Sequence, residues 1–126
     1  MTFETEQDRI RKTKAIEVFC KIFDGSYQKL GPNDIDFKVF DKDNNLISYA
    51  VVNGLVRTIR NAYPLPVEVK RLVKLLDKRL NPVVIWCCED GILYGKLENL
   101  RGDILYNNHE LMAYFDKQKE FKYVRF

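Results

Sequence analysis

The segment Pro82 to Cys88 constrains this chain more than any other. Val83-Val84-Ile85-Trp86-Cys87 is almost wholly apolar and rich in β-branched residues, bounded by Pro82 and by the turn-forming Glu89-Asp90-Gly91. A strand with no polar side needs cover on both faces, so this run predicts a central strand with layers of chain above and below it. In that setting Trp86 reads as a core residue. A sheet covered on both sides in 126 residues predicts one mixed α/β domain.

The flanking sequence supplies the layers. Residues Thr5 to Phe23 read as a helix, with Thr5 and Asp8 spaced as a capping pair and Ala15, Ile16, Val18, Phe19, Ile22 and Phe23 forming a broad apolar face. Asp24-Gly25-Ser26 stops it. In Asp34 to Phe40, Ile35, Phe37 and Val39 alternate with polar residues at strand period, and Asp41-Lys42-Asp43-Asn44-Asn45 is turn chemistry leading into a second strand, Leu46 to Val52. Gly54 to Pro66 reads as an irregular connection because Pro64 and Pro66 bar a continuous helix. Pro66 suits a first helical position, with Val69, Leu72, Val73, Leu76 and Leu80 as the core-facing stripe. Ile92 to Leu97 follows as a strand. Ile104 to Tyr106 and Leu111 to Phe115 read as a hairpin around Asn107-Asn108, and Phe121 to Phe126 as a final edge strand or a partner-binding tail.

Composition narrows the chemistry. The formal charge of +3 permits contact with a phosphate backbone without requiring it. Cys20, Cys87 and Cys88 are odd in number and form no CxxC pair, which predicts reduced thiols, and His109 stands alone, so no zinc site of Cys and His ligands is expected. Neither an organic cofactor nor a membrane contact is expected. The opening Met1-Thr2-Phe3-Glu4 has no basic or apolar leader character, so the expected location is cytoplasmic.

A helix with acids near its start, then Asp36 on a strand, then a short hairpin into a second strand, then an amphipathic helix, resembles the core of the PD-(D/E)XK (restriction-endonuclease-like) nuclease superfamily. The wording Asp34-Ile35-Asp36-Phe37-Lys38-Val39-Phe40 followed by Asp41 to Ala50 is similar to small members seen in phages and mobile elements. The resemblance covers about residues 4–97 and leaves 98–126 as a C-terminal hairpin and tail of the same domain. It implies a mixed sheet flanked by helices, a Mg²⁺ or Mn²⁺ held by acidic residues, DNA rather than RNA as the partner, the host cytoplasm for a phage-encoded protein, and a homodimer as an option. Tyr106, Tyr114 and Tyr123 suit such an interface or a core equally.

Carried onto this chain, the resemblance implies Asp36 as metal ligand, with Asp34 as the alternative, and Glu6 as the assisting helix acid, with Glu4 and Asp8 as rivals. The family's Glu-X-Lys-Gly falls on Val51-Val52-Asn53-Gly54. Val51 cannot ligate a metal and Asn53 offers a neutral amide in place of a cation. Loss of one such electrostatic element costs about 10²–10³ in rate, so the metal site is expected to be weakened or lost. The leading expectation is a nuclease-like protein with a degraded site that binds nucleic acid or a protein without hydrolysis. Two rivals stand beside it. One is a Mg²⁺-dependent DNA endonuclease whose catalytic residue has moved to Lys38, Arg57, Arg60 or Glu68, or an inactivated variant of such an enzyme. The other is a protein-interaction or inhibitor module. Candidate phosphate contacts are Arg57 and Arg60, and Lys70 and Lys74 in a stripe with Lys78, beside Arg71 and Arg79.

Overall fold

The computed structural model describes residues 5–31 and 35–126. Two helices, α1 (Glu6–Lys21) and α2 (Val69–Leu76), accompany nine strands: β1 (Ser26–Lys29), β2 (Phe37–Phe40), β3 (Leu46–Gly54), β4 (Leu65–Glu68), β5 (Val83–Cys87), β6 (Gly91–Lys96), β7 (Asp103–Asn107), β8 (Glu110–Phe115) and β9 (Lys122–Arg125). Six strands form one mixed sheet in the order β1-β2-β3-β5-β6-β9, antiparallel except for the parallel pair β3 and β5. The other three form a smaller antiparallel sheet, β4-β8-β7. The chain is therefore α/β, and no described helix is long and apolar enough to cross a membrane.

The apolar run is central, as its composition requires. Every residue of β5 is buried, and the strand lies between β3 and β6. Because side chains alternate across a strand, β3 and β5 divide their residues between two cores. Ala50, Val52, Val83, Ile85 and Cys87 pack beneath α1 with Ala15, Ile16, Phe19 and Cys20. Val51, Val84 and Trp86 face the other way, onto Leu72 and Leu75 of α2, Leu65 and Val67 of β4, and Ala113 and Phe115 of β8.

Local chemistry explains the element ends. Thr5 accepts from the Asp8 amide at 3.1 Å and Asp8 accepts from the Thr5 amide at 3.2 Å, a reciprocal cap that starts α1. Asp24, at φ 56, ends that helix region, and Asn44, at φ 66, closes the β2–β3 turn, where Asp41 accepts from the amides of Asp43 and Asn45 at 2.9 Å. Asn108 and His109, at φ 49 and 67, form the two-residue turn between β7 and β8. Residues 98–126 are more than a tail. Phe121 packs against Trp86, Phe115 and Tyr63, and β9 extends the main sheet beside β6.

Two expectations need correction. Pro66 does not begin the second helix. It lies in β4, an edge strand where the missing N–H costs no ladder bond, and its carbonyl accepts from the Trp86 indole at 2.8 Å. The helix starts at Val69, and only Leu72 and Leu75 are buried in it. Val73, Leu76 and Leu80 are exposed: the helix ends at Leu76 and turns Leu72 and Leu75 to the core, and left-handed residues at Leu80 and Asn81 then lead the chain into β5. Strand β1 was also not evident in the sequence, since only Tyr27 is even half-buried in that edge strand.

The α2 packing gives a direct test. Leu75 is 0% and Leu76 66% exposed. Leu75→Ala should lower the free energy of unfolding by about 2–5 kcal/mol in urea titration, whereas Leu76→Ala should stay within about 0.5 kcal/mol of the parent. Equal losses would contradict this packing.

Candidate functional site

Asp36 sits in a bend at the entrance to β2, where the chain passes from one core to the other: Ile35 belongs to the α2-side core and Phe37 to the α1-side core. The carboxylate is thereby held at the sheet's surface between the layers. One oxygen, Oδ2, accepts from the backbone N–H of Val52 on β3 at 2.8 Å. The same oxygen receives the Arg71 guanidinium from α2, and Oδ1 receives the Lys12 ammonium from α1 at 3.1 Å. Arg71 extends further, donating to the Asn53 side-chain oxygen at 2.9 Å and to the Val52 carbonyl at 3.3 Å. Asn53 in turn donates to the Ile85 carbonyl at 3.4 Å, which orients its amide oxygen toward the guanidinium.

This cluster joins α1, β2, β3 and α2 through one carboxylate. Its side chains are only 15–24% exposed, so water screens them less than it would a surface pair. Two cations face one anion, and Arg71 supplies the planar fork that can reach a carboxylate, an amide and a carbonyl together. A divalent metal approaching Asp36 would have to displace that guanidinium and sit beside the Lys12 ammonium. Among the described residues no group of three or more His, Cys, Asp or Glu could hold a metal.

The structure brings Asp36 and Asn53 to one point, Arg71. It does not bring Val51 there: that side chain is fully buried in the α2-side core with Leu72, Leu75 and Trp86. Glu6 is also elsewhere. It projects roughly 120° around α1 from Lys12 and shares a shallow outer groove with Arg9, Ile10, Thr13, Lys14 and Glu17. Asp8, two turns' flank nearer, lies one helical turn before Lys12, but its carboxylate is spent on the Thr5 cap, whose hydrogen bonds hold its pKa below the usual value. Asp34 and Glu4 lie outside the described residues.

The basic candidates separate likewise. Arg57 and Arg60 are exposed on a segment tied to the β5–β6 turn, where Glu89 N–H donates to the Arg57 carbonyl and Asp90 accepts from the Ile59 amide, both at 2.9 Å. They contribute nothing to the Asp36 cluster. Lys70 is exposed and pairs with Glu68 at 3.1 Å, so neither the stripe residue nor the proposed migrated acid reaches Asp36. Lys74 instead continues the Arg71 flank of α2 at i+3, and Lys78 follows the helix end, its ammonium 5.3 Å from the Tyr49 ring centre. Lys38 lies directly across from Tyr49 in the β2–β3 ladder. The thiols offer no nucleophile at neutral pH, since burial pushes Cys20 up to about 11 and Cys88 up to about 12.

Lys12 and Arg71 were not singled out from the sequence. Lys12 carried a signal, standing one turn before Ala15 and Ile16 on the apolar face, where a cation needs an anionic partner. Arg71 gave less, being one cation among several around α2. Comparison with family models, with curated proteins and with solved structures found no match to this chain.

Asp36→Ala and Arg71→Ala should each destabilise by about 1–3 kcal/mol, because each leaves part-buried charge without its partner. The double variant should cost less than the sum, with a coupling of about 0.5–3 kcal/mol in a denaturation cycle. Strict additivity would mean that the contact contributes nothing.

Proposed function

We propose that this protein is a restriction-endonuclease-like scaffold that binds DNA without cutting it. The observation that carries the reading is Arg71, laid across Asp36 and Asn53 where the resemblance would put a metal. Several features support it. With β4 set aside as an insertion between β3 and α2, the order α1, β1, β2, β3, α2, β5 and the parallel β3–β5 pair support the reading, being those that the resemblance implies. On this reading Asn53, beside Asp36, stands nearer the position of the family's second acid than Val51 does.

Exchanging a dication for a guanidinium changes the chemistry. No Lewis acid is then available to activate water or stabilise a leaving oxygen, so hydrolysis loses its main support. The cationic character of the site is kept, however. Arg71 and Lys74 on α2 and Lys78 just beyond its end, with the Lys78 ammonium over the Tyr49 ring, supply positive groups and an aromatic ring of the kind that follows a phosphate backbone. These groups suit phosphate contact, so affinity should depend on salt and DNA shape more than on sequence.

The test is a titration of duplex, branched and single-stranded DNA at low salt, with and without Mg²⁺ or Mn²⁺. Binding without cleavage is expected. Lys74→Glu with Lys78→Glu should weaken it at least about tenfold and lower the salt slope by about two. Metal-dependent cleavage that disappears on Asp36→Ala would overturn the reading in favour of an enzyme. Absence of any DNA shift would overturn it in favour of a protein-interaction role.

A further inference from the structure

We infer that two copies of this chain pair antiparallel through β7, edge to edge, about a two-fold axis at Leu105. The argument begins with the sheet edges. The described strands present four: β1 and β9 in the larger sheet, β4 and β7 in the smaller. An open edge is a template for another strand, and proteins blunt it with proline, charge or brevity. Edge β4 contains Pro66. Edge β9 carries Lys122 and Arg125, and β1 is a short polar strand ending on Lys29. Edge β7, Asp103-Ile104-Leu105-Tyr106-Asn107, has neither proline nor a basic residue, and every residue in it is exposed. Its three central side chains are large and apolar, with Ile104 61%, Leu105 57% and Tyr106 68% exposed.

The backbone favours the same pairing. The two-residue turn at Asn108-His109 closes on Asn107 and Glu110 as a hydrogen-bonded pair, and alternation then makes Leu105 with Met112 bonded inward and turns the N–H and C=O groups of Ile104 and Tyr106 outward. A second β7 running antiparallel about Leu105 sets Ile104 opposite Tyr106 of the other copy. Each such pair can exchange both N–H···O bonds.

What selects a second copy over an unrelated strand is self-complementarity. The two-fold register puts Leu105 against Leu105 on one face and apolar Ile104 against Tyr106 on the other. At the ends it puts Asp103 against Asn107, so no like charges meet. The union would join the two small sheets into one six-stranded sheet, leaving the Asp36 cluster outside the contact.

Sedimentation and light scattering on the full chain test this independently of DNA binding. The parent should run at twice the 14.9 kDa chain mass at micromolar concentration. Leu105→Lys, which sets like charges against each other at the axis in an already exposed position, should shift it to the monomer with its circular dichroism unchanged. Leu105→Cys should form an inter-chain disulfide under mild oxidation, since the non-hydrogen-bonded pair at the axis places the two Cα atoms within bridging distance and the three native cysteines are buried. A parent that stays monomeric at hundreds of micromolar, a dimer that survives Leu105→Lys, or a Leu105→Cys chain that fails to cross-link would each overturn the proposal.

Discussion

The carboxylate of Asp36 is the point on which the layered arrangement turns. It accepts from the Val52 backbone and from cations delivered by both helices, so one side chain fixes the approach of α1 and α2 to opposite faces of the same sheet. The bend that exposes it also sends Ile35 and Phe37 into different cores. Such clusters contribute modestly when complete and cost much when broken, because a charge left behind in part-buried surroundings keeps its desolvation penalty. Geometry is thus enforced more by the penalty for leaving it than by the strength of any single bond.

The same arrangement decides what chemistry the region can support. A carboxylate beside other carboxylates draws a hard dication. A carboxylate shared by a guanidinium and an ammonium is already compensated. The neutral Asn53 fits that balance, since its amide oxygen accepts from Arg71 while its nitrogen donates to Ile85. On the proposed reading, the neighbourhood holds an anionic surface in place and does not activate water.

Much of the fold was legible because it rests on local rules. The β5 run suits a doubly covered strand, Thr5 with Asp8 and Asp41 to Asn45 announce a cap and a turn, and the hairpin expected around Asn107-Asn108 turns one residue later, on Asn108-His109. What escaped depends on neighbours distant in sequence. Pro66 reads as a helix start until β8 is found beside it, and the α2 stripe misleads because a helix of eight residues buries only Leu72 and Leu75 before Leu80 turns away. The site was half legible. Asp36 and Asn53 were named from the family resemblance, but Arg71 and Lys12 acquire their role only when both helices close on the sheet.

Consecutive residues Cys87 and Cys88 point to opposite sides of the central sheet. Cys87 lies with Cys20 in the core beneath α1, and Cys88 lies in the core beneath α2. Each half of the interior thus holds a thiol that burial shields, so the rates at which these thiols become modifiable near the unfolding transition record separately when each layer lifts from the sheet.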